Sequence, residues 1–166
     1  EGNDIAQVVL GGAEEALALA GAEGVDMVTL TGGVAAGEAL ARAAGIRPFA
    51  AELGGNSANI VCADADIADA AARIAPSAFE AGGQQCISTQ RIIVDGKVYD
   101  AFRDAFLDRV AALRVGDPAL AETDLGPVVH ARAADRIHAM IEDAVAQGAR
   151  LLTEPNRDGC LLHPTV

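Results

Sequence analysis

Met27-Val28-Thr29-Leu30-Thr31-Gly32-Gly33, followed by the Ala-rich run from Val34 to Ala44, is the stretch that decides the fold. A short run of aliphatic and β-branched residues reads as a strand. The paired glycines end it, and Ala, Leu and Glu then favour a helix. Gly45-Ile46-Arg47-Pro48 breaks that helix, and Phe49-Ala50-Ala51-Glu52-Leu53 restores strand character. On the other side, Gln7-Val8-Val9-Leu10 before Gly11-Gly12 reads as a further short strand. Residues 13–20 then offer a helix with Glu14 and Glu15 in its first turn, where carboxylates suit the helix dipole. Strand, helix, strand, glycines and helix form the order of a parallel α/β unit.

The same alternation continues downstream. Asn59-Ile60-Val61-Cys62 reads as a strand, and Asp64-Ala65-Asp66 can cap a helix that starts near Ile67 and runs toward Glu80. Pro76 lies inside that helix and is expected to kink or split it. Ala81-Gly82-Gly83-Gln84-Gln85 leads flexibly into Cys86, and Arg91-Ile92-Ile93-Val94 is a strand. Residues 99–113 give an amphipathic helix with Phe102, Phe106, Val110 and Leu113 on one side, a core stripe rather than a stacking platform. Arg114-Val115-Gly116-Asp117-Pro118 ends it. Residues 131–147 form the longest helix candidate, with Ile137, Ile141 and Val145 on one stripe and Gly148 as its stop. Arg150-Leu151-Leu152 and Leu161-Leu162 read as strands around a polar loop.

Composition narrows the function. In 166 residues, 24 Asp and Glu face 12 Lys and Arg, a net charge of −12, and the basic residues are scattered. Such a field repels a phosphate backbone, so nucleic acid is not an expected partner. Aromatics make up 3% of the chain, so core volume must come from small and branched aliphatic side chains. Cys62, Cys86 and Cys160 are widely spaced, and with His130, His138 and His163 they form no metal-ligand pattern. That usage points to a reducing, cytoplasmic setting without a disulfide framework. No apolar run is long enough for a membrane span, and membranes are not an expected partner either.

Two side chains stand out chemically. Glu52 ends a strand, where a desolvated carboxylate is costly unless it is paired or in use. Cys86 follows paired glycines, which suits a nucleophile whose thiolate is the reactive form. The Gly32-Gly33 turn leads into a helix N-terminus, where backbone N–H groups can meet an anion. It is neither a GxGxxG fingerprint nor a phosphate-binding loop with Lys-Ser/Thr, and Gly37 can equally serve helix packing.

Four strings carry a resemblance. Glu52-Leu53-Gly54-Gly55-Asn56-Ser57, Gly83-Gln84-Gln85-Cys86, Val115-Gly116-Asp117-Pro118 and Asp124-Leu125-Gly126-Pro127 resemble the aldehyde dehydrogenase superfamily, in order and with its spacing. Val28-Thr29-Leu30-Thr31-Gly32-Gly33 is similar to that family's cofactor-contacting strand and turn. The resemblance implies an α/β chain in which residues 1–52 end a Rossmann-like cofactor-binding domain. Residues 53–166 would begin the α/β catalytic domain.

It also implies NAD or NADP as cofactor and a small aldehyde as substrate, oxidised to the acid through a thiohemiacetal and then a thioester. Cys86 would be the nucleophile and Glu52 the base that activates the hydrolytic water. Thr31, Gly32, Gly33, Gly37 and the backbone of Leu53 and Gly54 would face the cofactor, and Gln85 and Ile87 would line the acyl pocket. No metal site is implied, and Cys62 and Cys160 match no motif cysteine. The parent enzyme would be a homodimer or homotetramer.

Three positions depart from the family's usual residues: Gly33 where Ser is common, Ala81 where Asn is common, and Pro76 inside a continuous helix. The length matches about a third of such an enzyme. The family's ribose-contacting Lys, its oxyanion-binding Asn and its Glu-x-x-x-Gly-Pro segment have no counterpart here. The isolated chain is therefore expected to be inactive. Two alternatives stand beside this reading: a catalytically inert α/β fragment, and a relative that reduces acyl phosphates or acyl-coenzyme A. The Glu52 motif opposes the second of these.

Overall fold

A computed structural model describes residues 6–166; the first five residues of the expected cofactor-side segment 1–52 lie outside the described residues. The chain forms two compact units, one running to Gly54 and the other from Gly55 to Val166.

In the first unit, helix α1 (Ala13–Gly21) precedes strand β1 (Val28–Thr31), helix α2 (Val34–Ala44) and strand β2 (Phe49–Glu52). β1 and β2 pair in parallel, with Val28 opposite Phe49 and Thr31 opposite Glu52, so a β-α-β crossover is complete. Gly45 takes φ +65° at the end of α2, a left-handed conformation that glycine adopts without a Cβ penalty. Arg47 then donates from Nη1 to the carbonyl oxygens of Ala20, Ala22 and Val25, satisfying acceptors at the end of α1 and in the loop that follows it.

The strand expected at Gln7–Leu10 does not form. Val8 and Leu10 are 86% and 89% exposed, and no described strand pairs with them. A strand needs a ladder for its backbone groups, and hydrophobicity alone does not supply one.

The second unit begins with β3 (Ser57–Val61) and α3 (Ile67–Phe79), then a 3₁₀ turn over Glu80–Gly83 and β4 (Thr89–Val94). β3 and β4 are parallel, with a register shift between Ser57 and Ala58. The Asp66 carboxylate accepts from the Asp69 amide and caps α3. Ala71, Ile74 and Ala75 face inward from α3, and α4 (Tyr99–Ala111) packs against them with Phe102, Phe106 and Val110. The small alanines let α4 approach closely, and the two Phe rings stack with centroids 5.6 Å apart. Each such ring stabilises the core by about 1.5–3 kcal/mol through burial.

α5 (Ala131–Ala146) follows, capped by His130, whose Nδ1 accepts from the Ala133 amide at 3.0 Å. Its inward contacts are made by Ala133 and Ala134, with Ile137 beside them, while Val145 and Met140 stay exposed.

Two expectations are corrected in this unit. Of the kink or split expected at Pro76, the split does not occur, and α3 runs through it to Phe79. The helix stops within one turn, so the i−4 bond the ring removes lies near its end, where the cost is least. Residues 150–152 form no strand; β5 (Arg157–Asp158) and β6 (Leu161–Leu162) pair antiparallel instead, so the polar loop itself supplies one arm of the hairpin. Gly159 turns the corner with φ +58°.

Candidate active site

The candidates of the first unit gather around the β1–α2 turn. The Gly32 amide donates to the Glu52 carbonyl at 3.0 Å, which extends the β1–β2 ladder into the glycine turn. Gly33 is the N-cap of α2 with extended backbone (φ −78°, ψ 158°) and contributes no side-chain cap. A Cβ built on Gly33 meets nothing within 4 Å, so the start of α2 is open on that side. Uncapped first-turn amides with a free flank fit a phosphate or pyrophosphate. Thr31, exposed at the end of β1, stands beside this turn.

Gly37 has a packing role. It is buried, and a Cβ there would come 2.8 Å from Cδ2 of Leu53, so its lack of a side chain lets α2 close over the end of β2. Gly37 is therefore fixed by packing, and it holds Leu53 in place. Glu52 is exposed rather than buried in its strand, so its carboxylate stays solvated and carries no burial cost. Gly54 is exposed as well.

In the second unit Cys86 sits on a short turn between α3 and β4. The approach is left-handed: Ala81, Gly82 and Gly83 take φ of +52°, +65° and +69°. The Gln84 amide then donates to the Ala81 carbonyl. From there the chain reverses. The Ser88 amide donates to the Gln85 carbonyl at 3.1 Å, and the Gln85 amide donates to the Ser88 hydroxyl at 3.2 Å. Cys86 and Ile87 occupy the two central positions of this turn, both exposed, and their amides donate to no acceptor among the described residues. Gln85 is exposed alongside them.

Gly55 closes over the same turn. A Cβ on Gly55 would lie 2.8 Å from the Cys86 carbonyl oxygen, so only glycine fits there. The side chain of Gln90 ties β4 back to the Gly83 carbonyl at 3.0 Å. Below the turn, Ser88 and Thr89 are the two buried polar residues among those described. Thr89 Oγ1 accepts from Asn59 Nδ2 at 2.7 Å and shares a 2.8 Å hydrogen bond with Ser77 Oγ.

Ser77, Ser88 and Thr89 were not among the residues singled out from the sequence, and Gly55 stood in a quoted string without a role of its own. The legible signal was the pair of hydroxyl residues directly between the cysteine and an apolar strand.

The later family-like strings form a clasp rather than a reacting site. Asp124 Oδ2 accepts from the Arg114 amide at 2.9 Å and from Arg114 Nε at 3.2 Å, and both bonds hold its carboxyl below the usual carboxylate range. The Asp124 and Leu125 amides donate back to the Arg114 carbonyl, and Gly126 packs against Pro118. An open hollow of about 660 Å³ in the second unit is lined by residues such as Phe79, Gln90, Arg136 and His163, and Cys86 does not line it. The exposed Cys86 thiol is presented on the turn, outside that hollow. Among the described residues no cluster of His, Cys, Asp and Glu could hold a metal, and no helix is long and apolar enough to cross a membrane.

Parallel β-α-β order, an open glycine turn and an exposed thiol on a held loop define the class as an α/β chain. The sequence model of the aldehyde dehydrogenase family matches residues 3–166, and the chain belongs to that family. It is 41% identical over 162 residues to aspartate-semialdehyde dehydrogenase 1 of Pseudomonas canavaninivorans, covering 98% of this chain and 34% of that protein.

Among solved structures, the NADP complex of NADP-dependent glyceraldehyde-3-phosphate dehydrogenase from Bacillus halodurans superposes with a TM-score of 0.89 at 37% identity. That match covers 96% of this chain and 33% of that one. An aldehyde dehydrogenase of Pseudomonas syringae complexed with NAD+ and octanal superposes with a TM-score of 0.85 at 32% identity, over 90% of this chain and 32% of that one. The chain spans about a third of the length of the relatives it matches.

Proposed function

We propose that this chain serves, within a longer enzyme, the NAD(P)-dependent oxidation of an aldehyde to a carboxylic acid. The observation that carries the reading is the exposed Cys86 thiol at the centre of a fixed turn, in a chain of this family. The thiolate of Cys86 attacks the aldehyde carbon, forming a C–S bond and a tetrahedral thiohemiacetal. The unpartnered Cys86 amide is a donor for the oxygen on which charge develops. A bound nicotinamide would supply the acceptor for the hydride of that carbon, which would leave Cys86 carrying a thioester. Glu52 takes a proton from water, which adds to the thioester and releases the acid and the free thiol.

The residues suited to holding the cofactor are Thr31, Gly32 and Gly33, with the α2 amides facing its phosphates and the backbone of Leu53 and Gly54 near its nicotinamide end. Gly37 contributes by seating Leu53. Gln85 and Ile87 flank the thiol and line the acyl side. In this reading residues 1–52 belong to the cofactor-binding domain and residues 53–166 to the catalytic one. Turnover is expected of the longer enzyme, not of these 166 residues alone.

The test is substitution in that enzyme. Cys86→Ala should abolish formation of reduced cofactor from aldehyde, and retained oxidation would overturn the nucleophile assignment. Glu52→Gln should keep a first burst of reduced cofactor and lose steady turnover. An unchanged steady rate would remove Glu52 from the hydrolytic step.

A further inference from the structure

We propose that the buried hydroxyl of Thr89, held between Asn59 and Ser77, together with the Ser88 hydroxyl, positions the Cys86 thiol; these are positioning residues that do not meet the substrate. The inference rests on the reading of Cys86 as nucleophile and adds to it the device that aims the thiol.

Cys86 itself is exposed, and no side-chain hydrogen bond among the described residues restrains it. An unrestrained surface thiol would spread over several rotamers and backbone states, whereas attack on a carbonyl needs near-contact geometry. Restraint must come from the backbone of the turn. Ser88 supplies half of it: its amide and its hydroxyl both engage Gln85, closing the turn from one residue.

Thr89 supplies the other half. It starts β4, pairs across to Ser57, and its Oγ1 joins Asn59 of β3 to Ser77 of α3. One hydroxyl thus ties together three elements, three residues after the thiol. In a core otherwise built of Ala, Val, Leu, Ile and Phe, this is an unusual place for polar groups. Val at position 89 would suit a β-strand and cost no desolvation, so strand packing does not explain the threonine. A fully satisfied buried network fixes one arrangement, because every alternative leaves a donor or acceptor unpaired. Among the described residues no buried side-chain nitrogen or oxygen lacks a partner.

The decisive pair of variants in the full-length enzyme is Thr89→Val, which keeps the shape and removes the hydroxyl, and Thr89→Ser, which keeps the hydroxyl and removes the methyl. Thr89→Val should lower kcat by about 10- to 100-fold with KM changed less than about 3-fold, and Thr89→Ser should return kcat to within about 3-fold of the parent. Iodoacetamide labelling resolved by peptide should change at Cys86 and stay constant at Cys62, the exposed internal control.

If Thr89→Val proves unstable, Ser88→Ala and Ser77→Ala carry the same expectation. Parent-like kcat and Cys86 labelling in the folded hydroxyl-deleted variants overturns the proposal. So does a Thr89→Ser loss as large as that of Thr89→Val, which would mark the site as packing alone. Cys86→Ala, run in parallel, separates the two levels. If it leaves activity intact, the nucleophile reading has failed. If it abolishes activity while Thr89→Val does not, only the positioning has failed.

Discussion

The chain has two glycine turns with opposite designs. Gly32-Gly33 joins β1 to α2 with ordinary extended backbone, no side-chain tie and open space at Gly33. Gly82-Gly83 joins α3 to the Cys86 turn in left-handed conformations, hemmed in by Ala78, Val128 and Gln84 and strapped by Gln90. The first exposes main-chain amides and needs no side chain to do so. The second delivers one side chain, and the surrounding residues spend their hydrogen bonds on holding it. An open turn has room for a side chain at its glycines, whereas a hemmed-in turn of left-handed residues does not.

That contrast can be broken by substitution. Gly55→Ala should have the largest effect, since its Cβ would press within 2.8 Å of the Cys86 carbonyl. We expect kcat of the full-length enzyme to fall by about 100-fold as the turn shifts, with a smaller loss in thermal stability.

Gly83→Ala combines φ +69° with a Cβ placed 2.9 Å from the Ala78 carbonyl, and should destabilise by about 2–3 kcal/mol in urea unfolding. Ala81→Asn tests the same turn in the other direction. Ala81 is a non-glycine residue with φ +52°, and Asn tolerates that region, so a gain of about 0.5–1 kcal/mol in the same measurement is expected.

On the open turn, Gly33→Ser should fit without strain and add a side-chain cap. A gain of only a few tenths of a kcal/mol is expected.

The smallest effect is at Asp124. Its carboxyl is held below the ordinary range, first by the Arg114 amide and then by the Arg114 side chain. The stabilisation is therefore complete above the unfolded-state pKa, near 3.8, and is lost as pH falls through the lower folded value. Comparing melting temperatures of Asp124→Asn and the parent through acid titration checks it: the difference should shrink below about pH 4.

The family was legible because the glycines that flank Glu52 and Cys86, and the distance between the two motifs, are written in one dimension. β1, α2, α3 and α4 were legible for the same reason, through apolar periodicity and nearby caps or breakers. The misreadings share a cause. Gln7–Leu10 has strand composition but no ladder partner, and Arg150–Leu152 yields its place to a hairpin whose polar arm is chosen by pairing with Leu161-Leu162. Pro76 is tolerated because the helix it weakens ends just beyond it.

By itself the sequence determined the family and the α/β alternation, since each rests on local residue pattern. Only the tertiary structure decided how the thiol is held. Gly55 and the Asn59–Thr89–Ser77 network act across β3, β4 and α3, and contacts between distant residues follow from packing. It also decided that Gly37 is small for Leu53 and that Glu52 meets solvent, because burial is a property of neighbours in space.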